Sequence, residues 1–418
     1  MARPQVDEAH FVNIEAQETT DVVHPITLQN AHEVFQRWLG SEYDTDALDA
    51  MLAAVAVERL DGDPLWLLLI SGPGNAKTET VQATDGVDAV ITSTISSAGA
   101  LLSGTPLKER ADNATGGLLR KLEPRGVLVV KDVTSILSMS GDARAEVLAA
   151  LREVYDGRWS RNVGTNGGLT LHWRGRIALV GAVTTAWDKA HAVVSSMGDR
   201  FVLIRINSNQ GRLSAGRQAI ANTGSEVQMR AELAHAVAGV IAGMDHTPTV
   251  VTDVEQDVLL AAADLVTLAR TAVDFDGSGN VADAHAPEMP TRFAKQLTQV
   301  VRGGVAIGMD RTSALRLAIR CARDSMPPMR LAIIDDVANH PRSLTADIRR
   351  RIDKPHNTVD RQLQALHMLG LVTVEEVPHG EKTRWLHSLS GEVDPRVLSL
   401  DSLPNSAVHA PDPHMGEM

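Results

Sequence analysis

The amino-acid sequence predicts an α/β protein with a buried parallel sheet, followed by a mostly helical region and a small unit of helices and strands. Three short apolar runs carry the first part of this prediction, at residues 66–70, 127–130 and 177–180. Each run is continuous rather than alternating, which is typical of strands that are covered on both faces. Helical stretches such as 142–155 separate the runs, and strands that alternate with helices indicate a parallel sheet.

Apolar periodicity divides the rest of the chain. Helical spacing begins at Leu28, and Thr45 is the expected N-cap of a second helix. The stretches 226–244 and 253–273 are Ala-rich and periodic, whereas 274–290 has the Gly, Asp and Pro content of a loop. We therefore expect a flexible N-terminus (1–25), an α/β core with N-terminal helices (26–210), a helical lid (211–327), a C-terminal unit (328–390) and a flexible tail (391–418).

Composition excludes several classes of protein. The 418 residues are 44% hydrophobic and 22% charged, which excludes a mainly disordered or collagen-like chain. Lys and Arg number 40 against 52 Asp and Glu, so the net charge is −12 and any nucleic-acid site must be a local basic patch. The single cysteine, Cys321, excludes an internal disulfide and fits a reducing compartment. No signal-like core or apolar run of about 20 residues is present, so we expect a soluble, cytoplasmic protein without a membrane partner.

The strongest local motif directly follows the first apolar run. Residues 71–79 read Ser-Gly-Pro-Gly-Asn-Ala-Lys-Thr-Glu, close to the phosphate-loop pattern G-x-x-x-x-G-K-[ST]. Glycines let the backbone approach phosphate oxygens, a lysine neutralises the β- and γ-phosphates, and a hydroxyl ligates Mg²⁺. Ser71 and Ala76 stand where the pattern has glycine, and a Gly/Pro turn that happens to end in Lys-Thr is the alternative. The predicted nucleotide-binding residues are Gly72, Pro73, Gly74, Asn75, Ala76, Lys77, Thr78 and Glu79, with Thr78 as a metal ligand.

The second apolar run ends in an unusual pair. ATP hydrolysis needs a carboxylate near Mg²⁺ and usually a second one that polarises water, but here Lys131 and Asp132 follow the run. Either Asp132 is the metal-side acid one step late and no second acid exists, or it is the second acid and Lys131 replaces the metal-side one. A solvated Lys131 at a strand end is a third possibility. Asp132 is the candidate catalytic and metal-binding acid, and slow hydrolysis is expected in both registers.

These motifs resemble those of AAA+ ATPases. The loop, with Ala before Lys, is similar to that of minichromosome-maintenance (MCM) helicases, and further resemblances follow in order over about residues 60–325. Segment 92–99 resembles the Ser/Gly-rich segment, 126–137 the Walker B strand, 159–173 the hairpin before the sensor strand, 178–188 the sensor-one strand, 198–201 the arginine-finger motif, and 290–292 the start of the sensor-two helix. Only about 60 residues precede the first strand, so the resemblance is to the MCM-like clade of ATPases rather than to an MCM protein.

The resemblance implies further site residues. Thr184, or the adjacent Thr185, would reach the γ-phosphate or the attacking water, although a strand-end Thr is common. Arg200 would act on the nucleotide of a neighbouring subunit in a ring, with six subunits expected, and its alternative is a surface ion pair. Arg292 would contact the γ-phosphate from the lid. In related motors the hairpin grips nucleic-acid backbone in a central pore, and the candidate phosphate contacts here are Arg158, Arg161, Arg174 and Arg176. The hairpin tip (164–168) carries no Lys or Arg, which favours a structural hairpin.

The C-terminal unit resembles a winged-helix domain. Helices are predicted over 331–339, 344–352 and 357–369, and strands over 371–375 and 383–386. Polar side chains on the outward face of the third helix are of the kinds that contact bases or phosphates. The predicted DNA-binding residues are Arg349, Arg350, Lys354, Asn357, Thr358, Arg361, Gln362, Lys382 and Arg384. Winged helices also bind proteins, so a protein partner is the alternative.

Together these features predict an ATP-binding AAA+ protein that acts on DNA, as a helicase, a translocase or a replication-initiation-like ATPase, with ATP and Mg²⁺ as cofactors. The alternative is a nucleotide-gated DNA-binding regulator with little or no ATP hydrolysis, which the Lys131-Asp132 pair favours. A third possibility is a remodelling ATPase whose winged helix binds protein.

Overall fold

A five-stranded parallel sheet in the order β2-β3-β6-β1-β7 forms the centre of the first part of the chain. The computed structural model describes residues 23–105, 114–164, 167–195, 200–207, 211–380 and 382–399. The strands are β1 (Trp66–Ile70), β2 (Val90–Thr92), β3 (Arg125–Val130), β4 (Arg158–Val163), β5 (Leu169–Arg174), β6 (Arg176–Val183), β7 (Val202–Arg205), β8 (Val273–Phe275), β9 (Val281–Ala284), β10 (Ser343–Leu344), β11 (Val372–His379) and β12 (Lys382–Leu389).

Helices cover both faces of this sheet and form most of the chain after it. They are α1 (Leu28–Leu39), α2 (Thr45–Arg59), α3 (Lys77–Gln82), α4 (Ala98–Leu101), α5 (Leu118–Lys121), α6 (Thr134–Leu137), α7 (Gly141–Tyr155), α8 (Ala186–Ser195), α9 (Arg212–Ala221), α10 (Glu226–Ala242), α11 (Asp253–Ala269), α12 (Thr291–Ala306), α13 (Arg311–Asp324), α14 (Pro328–Asn339), α15 (Thr345–Arg351) and α16 (His356–Met368).

The three strands predicted from apolar runs are confirmed as β1, β3 and β6. Strand β1 is central and buried along its whole length, and side chains alternate between the two faces. Leu67 and Leu69 join the core on the face that α2 and α3 cover, whereas Trp66, Leu68 and Ile70 join the core on the opposite face. Strands β2 and β7 were not predicted, because runs of three and four residues give too little pattern to recognise.

Three local predictions are wrong. The tail predicted to be flexible from 391 contains a 3-10 helix at Pro395–Leu398 with Leu398 buried, whereas residues 1–22 and 400–418 of the predicted flexible termini lie outside the described residues. The second helix begins at Thr45, and Asp44 rather than Thr45 is its N-cap residue.

The stretch predicted as a loop at 274–290 contains most of the antiparallel hairpin of β8 and β9. The Asp276 carboxylate closes its turn by accepting hydrogen bonds from the amides of Ser278 and Asn280, at 2.8 and 2.9 Å. The hairpin strands have only three and four residues and are mostly exposed, so they are too short to show an apolar periodicity.

The predicted hairpin before β6 is present as β4 and β5, and the C-terminal unit has the predicted order of three helices and two strands. Strands β11 and β12 are longer than predicted, and β10 pairs with β12 to complete a three-stranded antiparallel sheet. The buried Arg330 of α14 attaches this unit to the end of α11, because it donates to the carbonyls of Ala269 and Thr271 at 2.7 and 2.6 Å. In the described part of the chain, no helix combines the length and apolar character needed to cross a bilayer.

Candidate nucleotide site

Polar segments follow three neighbouring strands at the carboxyl edge of the sheet. Residues 71–79 follow β1, Lys131 and Asp132 follow β3, and Thr184 follows β6, which lies between the other two strands. The carboxyl ends of parallel strands share one edge, which is where α/β sheets bind ligands. The structure therefore brings together the loop, the candidate acid and the polar strand end that were predicted separately.

The loop backbone turns into the left-handed region at two residues. Gly74 has a φ of 77°, and Ala76, which directly precedes α3, has a φ of 53°. For an L-residue this conformation costs about 1–2 kcal/mol, which is why glycine usually occupies it. Ala76 thus keeps a glycine-like backbone without being glycine, and such strain is typical of functional sites.

The Lys77 side chain lies back across the loop. Its ammonium donates to the Gly72 carbonyl at 3.0 Å, and partial burial lowers the pKa of Lys77, while the Asp132 carboxylate opposes this effect. One Asp132 oxygen accepts a hydrogen bond from the Thr134 amide at 2.9 Å. The lysine ammonium and the candidate acid are therefore close enough to interact.

A pair of threonines joins the ends of β3 and β6. The Thr134 hydroxyl donates to the Thr184 hydroxyl at 3.3 Å and accepts from the Thr184 amide at 3.1 Å. The Thr184 hydroxyl also accepts from the Ala186 amide at 3.3 Å, and Thr185 next to it is exposed. Thr134 was not a predicted site residue, because only the fold shows that it fixes Thr184.

Two predicted nucleotide-binding residues on α3 differ in their surroundings. Thr78 is exposed, as a ligand for a bound group requires. The Glu79 carboxylate instead forms a two-bond ion pair with Arg230 of α10, at 3.0 and 2.9 Å. This pair tethers α3 to the helical region, so Glu79 is engaged with protein rather than open to a nucleotide.

A cavity of about 400 Å³ lies beside the loop. Its lining combines residues 74–79 with segments far away in sequence, and a small recess of about 60 Å³ shares part of this wall. Residues that sequence reasoning missed are Trp38, Leu39, Ala215, Ala219, Asn222, Glu226 and Met229 in the cavity, and Gly40, Glu42, Tyr43, Asp44, Ile206, Asn207 and Gly211 in the recess. No sequence motif marks them.

The side chains that shape this cavity are held in place by hydrogen bonds. The Asn222 amide group donates to the Trp38 carbonyl at 2.6 Å and accepts from Gln218 at 2.9 Å. The Tyr43 hydroxyl bonds to the Thr80 hydroxyl at 2.8 Å, and burial raises the pKa of Tyr43. The cavity wall is thus built before any ligand enters.

Arg200 and Arg292 lie away from this site. Arg200 precedes β7 and so lies at the amino edge of the sheet, where its guanidinium pairs with Asp156 at 3.2 Å and lies 5.8 Å from the Tyr155 ring centroid. Arg292 pairs with Glu288 at 3.1 Å and lines a polar cavity of about 510 Å³ together with Asp156. The expected contact of Arg292 with the phosphate end of its own chain is therefore not made.

The pKa of Tyr155 is shifted at the same edge of the sheet. Burial raises the pKa of Tyr155 to about 12, and the nearby Asp63 carboxylate adds to this effect. Arg292 and Arg200 both oppose it, which places the two guanidinium groups around one ring. Both arginines thus lie around one ring opposite the phosphate loop, with 11% of the Arg200 side chain and 35% of the Arg292 side chain exposed.

The predicted DNA-binding residues divide into three groups. Those with exposed positions are Arg349, Arg350, Lys354, Asn357, Thr358, Arg361 and Arg384. The outward orientation predicted for Gln362 is wrong, since it is half-buried and accepts from the Arg330 guanidinium at 3.1 Å. The side chain of Lys382 lies outside the described residues.

The recognition-helix candidate α16 also touches the β8–β9 hairpin. A Cβ added at Gly279 would lie 2.5 Å from the Arg361 guanidinium, so this side chain covers the turn of the hairpin. The Gln364 side chain accepts from the Val281 amide at 3.3 Å. Arg350, on α15, pairs with Asp347 at 3.1 Å.

Two of the four arginines around the β4–β5 hairpin support the fold. Arg161 donates to the Leu102 carbonyl at 3.0 Å. Arg176 donates to four carbonyls, those of Val57, Glu58, Gly62 and Asp63, at 2.5–3.1 Å. Arg158 and Arg174 are exposed and lie opposite each other in the hairpin, whose tip at 165–166 lies outside the described residues.

Comparisons with known proteins give no family. No family model matches the chain, and no curated protein matches it. Among solved structures, the apo structure of the NrS-1 C-terminal region is 10% identical with a TM-score of 0.34, over 88% of this chain and 78% of that one. The Orc1 protein of Aeropyrum pernix in complex with DNA is 15% identical with a TM-score of 0.25, over 84% of this chain and 90% of that one. TM-scores this low establish neither a shared fold nor a function.

Proposed function

We propose that this chain is a nucleoside-triphosphate-binding protein of the AAA+ type that acts on DNA. The observation that carries the proposal is the loop after β1, with left-handed backbone at Gly74 and Ala76 and the Lys77 ammonium held across it. Its position beside the ends of β3 and β6, next to Asp132 and Thr184, supports a phosphate site rather than an ordinary turn.

In this proposal the triphosphate lies against the amides of residues 72–78, and the base enters the cavity between the end of α1 and α9. The cavity volume of about 400 Å³ suits a nucleoside, because ligand pockets measure about 300–1,000 Å³. Since α9 belongs to the helical region, a bound nucleotide would contact both the α/β core and the lid. The Glu79–Arg230 pair already joins these parts. The nucleotide therefore acts as a clamp between them.

The residues after β3 favour nucleotide binding over rapid hydrolysis. Thr78 and Asp132 are the residues that would hold Mg²⁺, which protein sites usually bind through one or two carboxylates and the substrate phosphates. Asp132 is the single acid of the pair, and Lys131 has no lone pair to give a metal. With a lysine in place of the second acid, these donors suit Mg²⁺ less well than a pair of carboxylates would, so the nucleotide-gated alternative is preferred to a fast motor.

Two arginines at the amino edge of the sheet support a ring. Arg200 and Arg292 both lie there, opposite the phosphate loop of their own chain. A head-to-tail interface that closes into a ring brings one surface of each subunit against a different surface of the next. In that arrangement the two arginines would face the neighbour's nucleotide, and six subunits are the expectation from the family resemblance.

The C-terminal unit is proposed to be a winged-helix domain (328–390) that binds DNA, with an α/β core (26–210) and a lid (211–327) before it. Exposed Arg349, Lys354 and Arg384 supply cations, and Asn357 and Thr358 lie exposed at the start of α16. Recognition helices contact base edges with their N-terminal residues, and phosphate contacts need only charge. The net charge of −12 confines such contacts to this patch.

Calorimetric titration with ATP tests the nucleotide proposal. Wild type should bind, and Lys77→Ala should bind about 10- to 100-fold more weakly, because a charged hydrogen bond to phosphate is lost. The exposed Lys121→Ala is the matched control and should bind as wild type does. Equal affinities for Lys77→Ala and Lys121→Ala would remove the basis of the proposal.

Electrophoretic shift tests the DNA proposal independently. The double variant Lys354→Ala/Arg361→Ala should bind DNA more weakly and with a smaller dependence on salt than wild type. Unchanged affinity would assign the unit to a protein partner instead.

A further inference from the structure

Lys131 lies on the phosphate-loop face of the sheet. In β3, Val127 and Val129 join the core that contains Val81 of α3, whereas Val130 joins the core of the opposite face. The Lys131 amide still donates to the Thr92 carbonyl, at 2.9 Å, so the regular pairing extends to this residue. Because side chains alternate along a strand, Lys131 projects towards the side occupied by α3 and Thr78. Of the two registers open from sequence, Lys131 thus takes the metal-side position.

Asp132 departs from this alternation. Its amide donates to the Ser93 carbonyl at 2.9 Å, so two successive amides bond towards the same neighbouring strand and the chain bulges. The Asp132 carboxylate is exposed, interacts with Lys77 and accepts from the Thr134 amide. The Asp132 carboxylate thus has one oxygen already engaged and the Lys77 ammonium near it.

These placements determine the charge that a triphosphate meets. The phosphates of a nucleoside triphosphate carry several negative charges at neutral pH and need cations around them. A lysine ammonium binds phosphate as a compact charge with three donors, and it repels a divalent cation at short range. With Lys77 on one side and Lys131 on the metal side, the chain itself supplies two cations.

We propose that the site binds the nucleoside triphosphate without a divalent cation, with the Lys131 ammonium taking the place that Mg²⁺ takes in other phosphate-loop sites. This inference rests on the proposed nucleotide-binding function. It also gives a reason for slow turnover, since a lysine cannot generate or orient a metal-bound water. The triphosphate then stays bound and acts as a regulatory ligand rather than as an energy source for movement.

Binding of ATP to the full chain, measured by calorimetry in excess Mg²⁺ and in excess EDTA, tests the inference. The wild-type dissociation constant should differ by less than about threefold between the two buffers. Lys131→Met removes the charge at similar length, and it should weaken binding in EDTA about tenfold while Mg²⁺ restores part of the affinity. Lys131→Asp should make binding depend on Mg²⁺ by about tenfold or more.

Three controls separate the outcomes. Lys131→Arg should keep binding in EDTA, and Lys121→Met should behave as wild type. Thermal unfolding of each variant without ligand shows whether it is folded. Wild-type binding that requires Mg²⁺ would overturn the inference and leave the nucleotide proposal standing. Absence of binding in both buffers, with wild type and Lys77→Ala alike, would remove the proposed function itself.

Discussion

The substitution Ala76→Gly should stabilise the nucleotide-free protein, although glycine usually destabilises. Ala76 has a φ of 53°, where an L-residue costs about 1–2 kcal/mol and glycine costs nothing. Glycine also gives the unfolded chain more freedom, which offsets about 0.4–1 kcal/mol of this gain. The balance is a stabilisation of about 0.5–1 kcal/mol. Because Ala76 directly precedes α3, the effect lies in the loop that is proposed to bind the phosphates.

Urea unfolding followed by tryptophan fluorescence measures this difference, since Trp66 is fully buried in β1, the strand that the loop directly follows. Ala145→Gly is the matched control, because Ala145 is an exposed residue within α7 and should lose about 0.5–1 kcal/mol. The two substitutions are therefore expected to have opposite signs. A loss of stability for Ala76→Gly equal to that of the control would mean that Ala76 has a right-handed backbone and that the phosphate cradle is absent.

Three further substitutions test other parts of the structure. Arg176→Gln should lower the free energy of unfolding by about 2–4 kcal/mol, because the Arg176 guanidinium donates to four carbonyls. Substitution of the exposed Arg158 by Gln should change the free energy of unfolding by less than about 0.5 kcal/mol. A reversed order in urea unfolding would contradict the structural role of Arg176. Arg349→Ala combined with Lys354→Ala should reduce the slope of log DNA affinity against log salt by about 1–2, and an unchanged slope would exclude both from phosphate contact. Burial raises the pKa of Asp324 from 3.8 to about 6, so the folded protein holds this proton more tightly than the unfolded chain does. The stability of wild type relative to Asp324→Asn should therefore fall as the pH rises from about 4 to about 6. A constant difference over that interval would mean that the Asp324 side chain is solvated.

The sequence predicted the parts of the site that continuous patterns encode. An apolar run followed by Gly-Pro-Gly and Lys-Thr located β1 and the loop, and the second run located Lys131 beside it. The walls of the cavity were not predictable, because Trp38, Asn222 and Met229 come from segments that only tertiary packing brings together. A short motif has a spacing that can be recognised, whereas a cavity wall built from three separate helical segments has none.

Orientation was harder to predict than secondary structure. The third helix of the C-terminal unit begins within one residue of its predicted start, yet Gln362 turns inward because the buried Arg330 needs an acceptor. Arg176 is a predicted phosphate contact, but its guanidinium instead donates to carbonyls at the end of α2 and in the turn that follows α2. Both side chains bond to polar partners that only long-range packing brings near them, and no local pattern contains that information.

The contacts from the loop to the C-terminal unit bear on how a bound nucleotide would change DNA affinity. Glu79 pairs with Arg230 of α10, and Arg330 joins the end of α11 to Gln362 on α16. The same helical region therefore touches both the phosphate loop and the candidate recognition helix. Physical continuity alone does not transmit a signal, because a ligand shifts an equilibrium only by its difference in affinity for two states. If the lid also has an open arrangement, a nucleotide bound between α1 and α9 would have different affinities for the open and closed arrangements. The reason is that only the closed arrangement contacts the base and the phosphates together. Slow hydrolysis at Lys131 and Asp132 would then set how long the closed arrangement lasts.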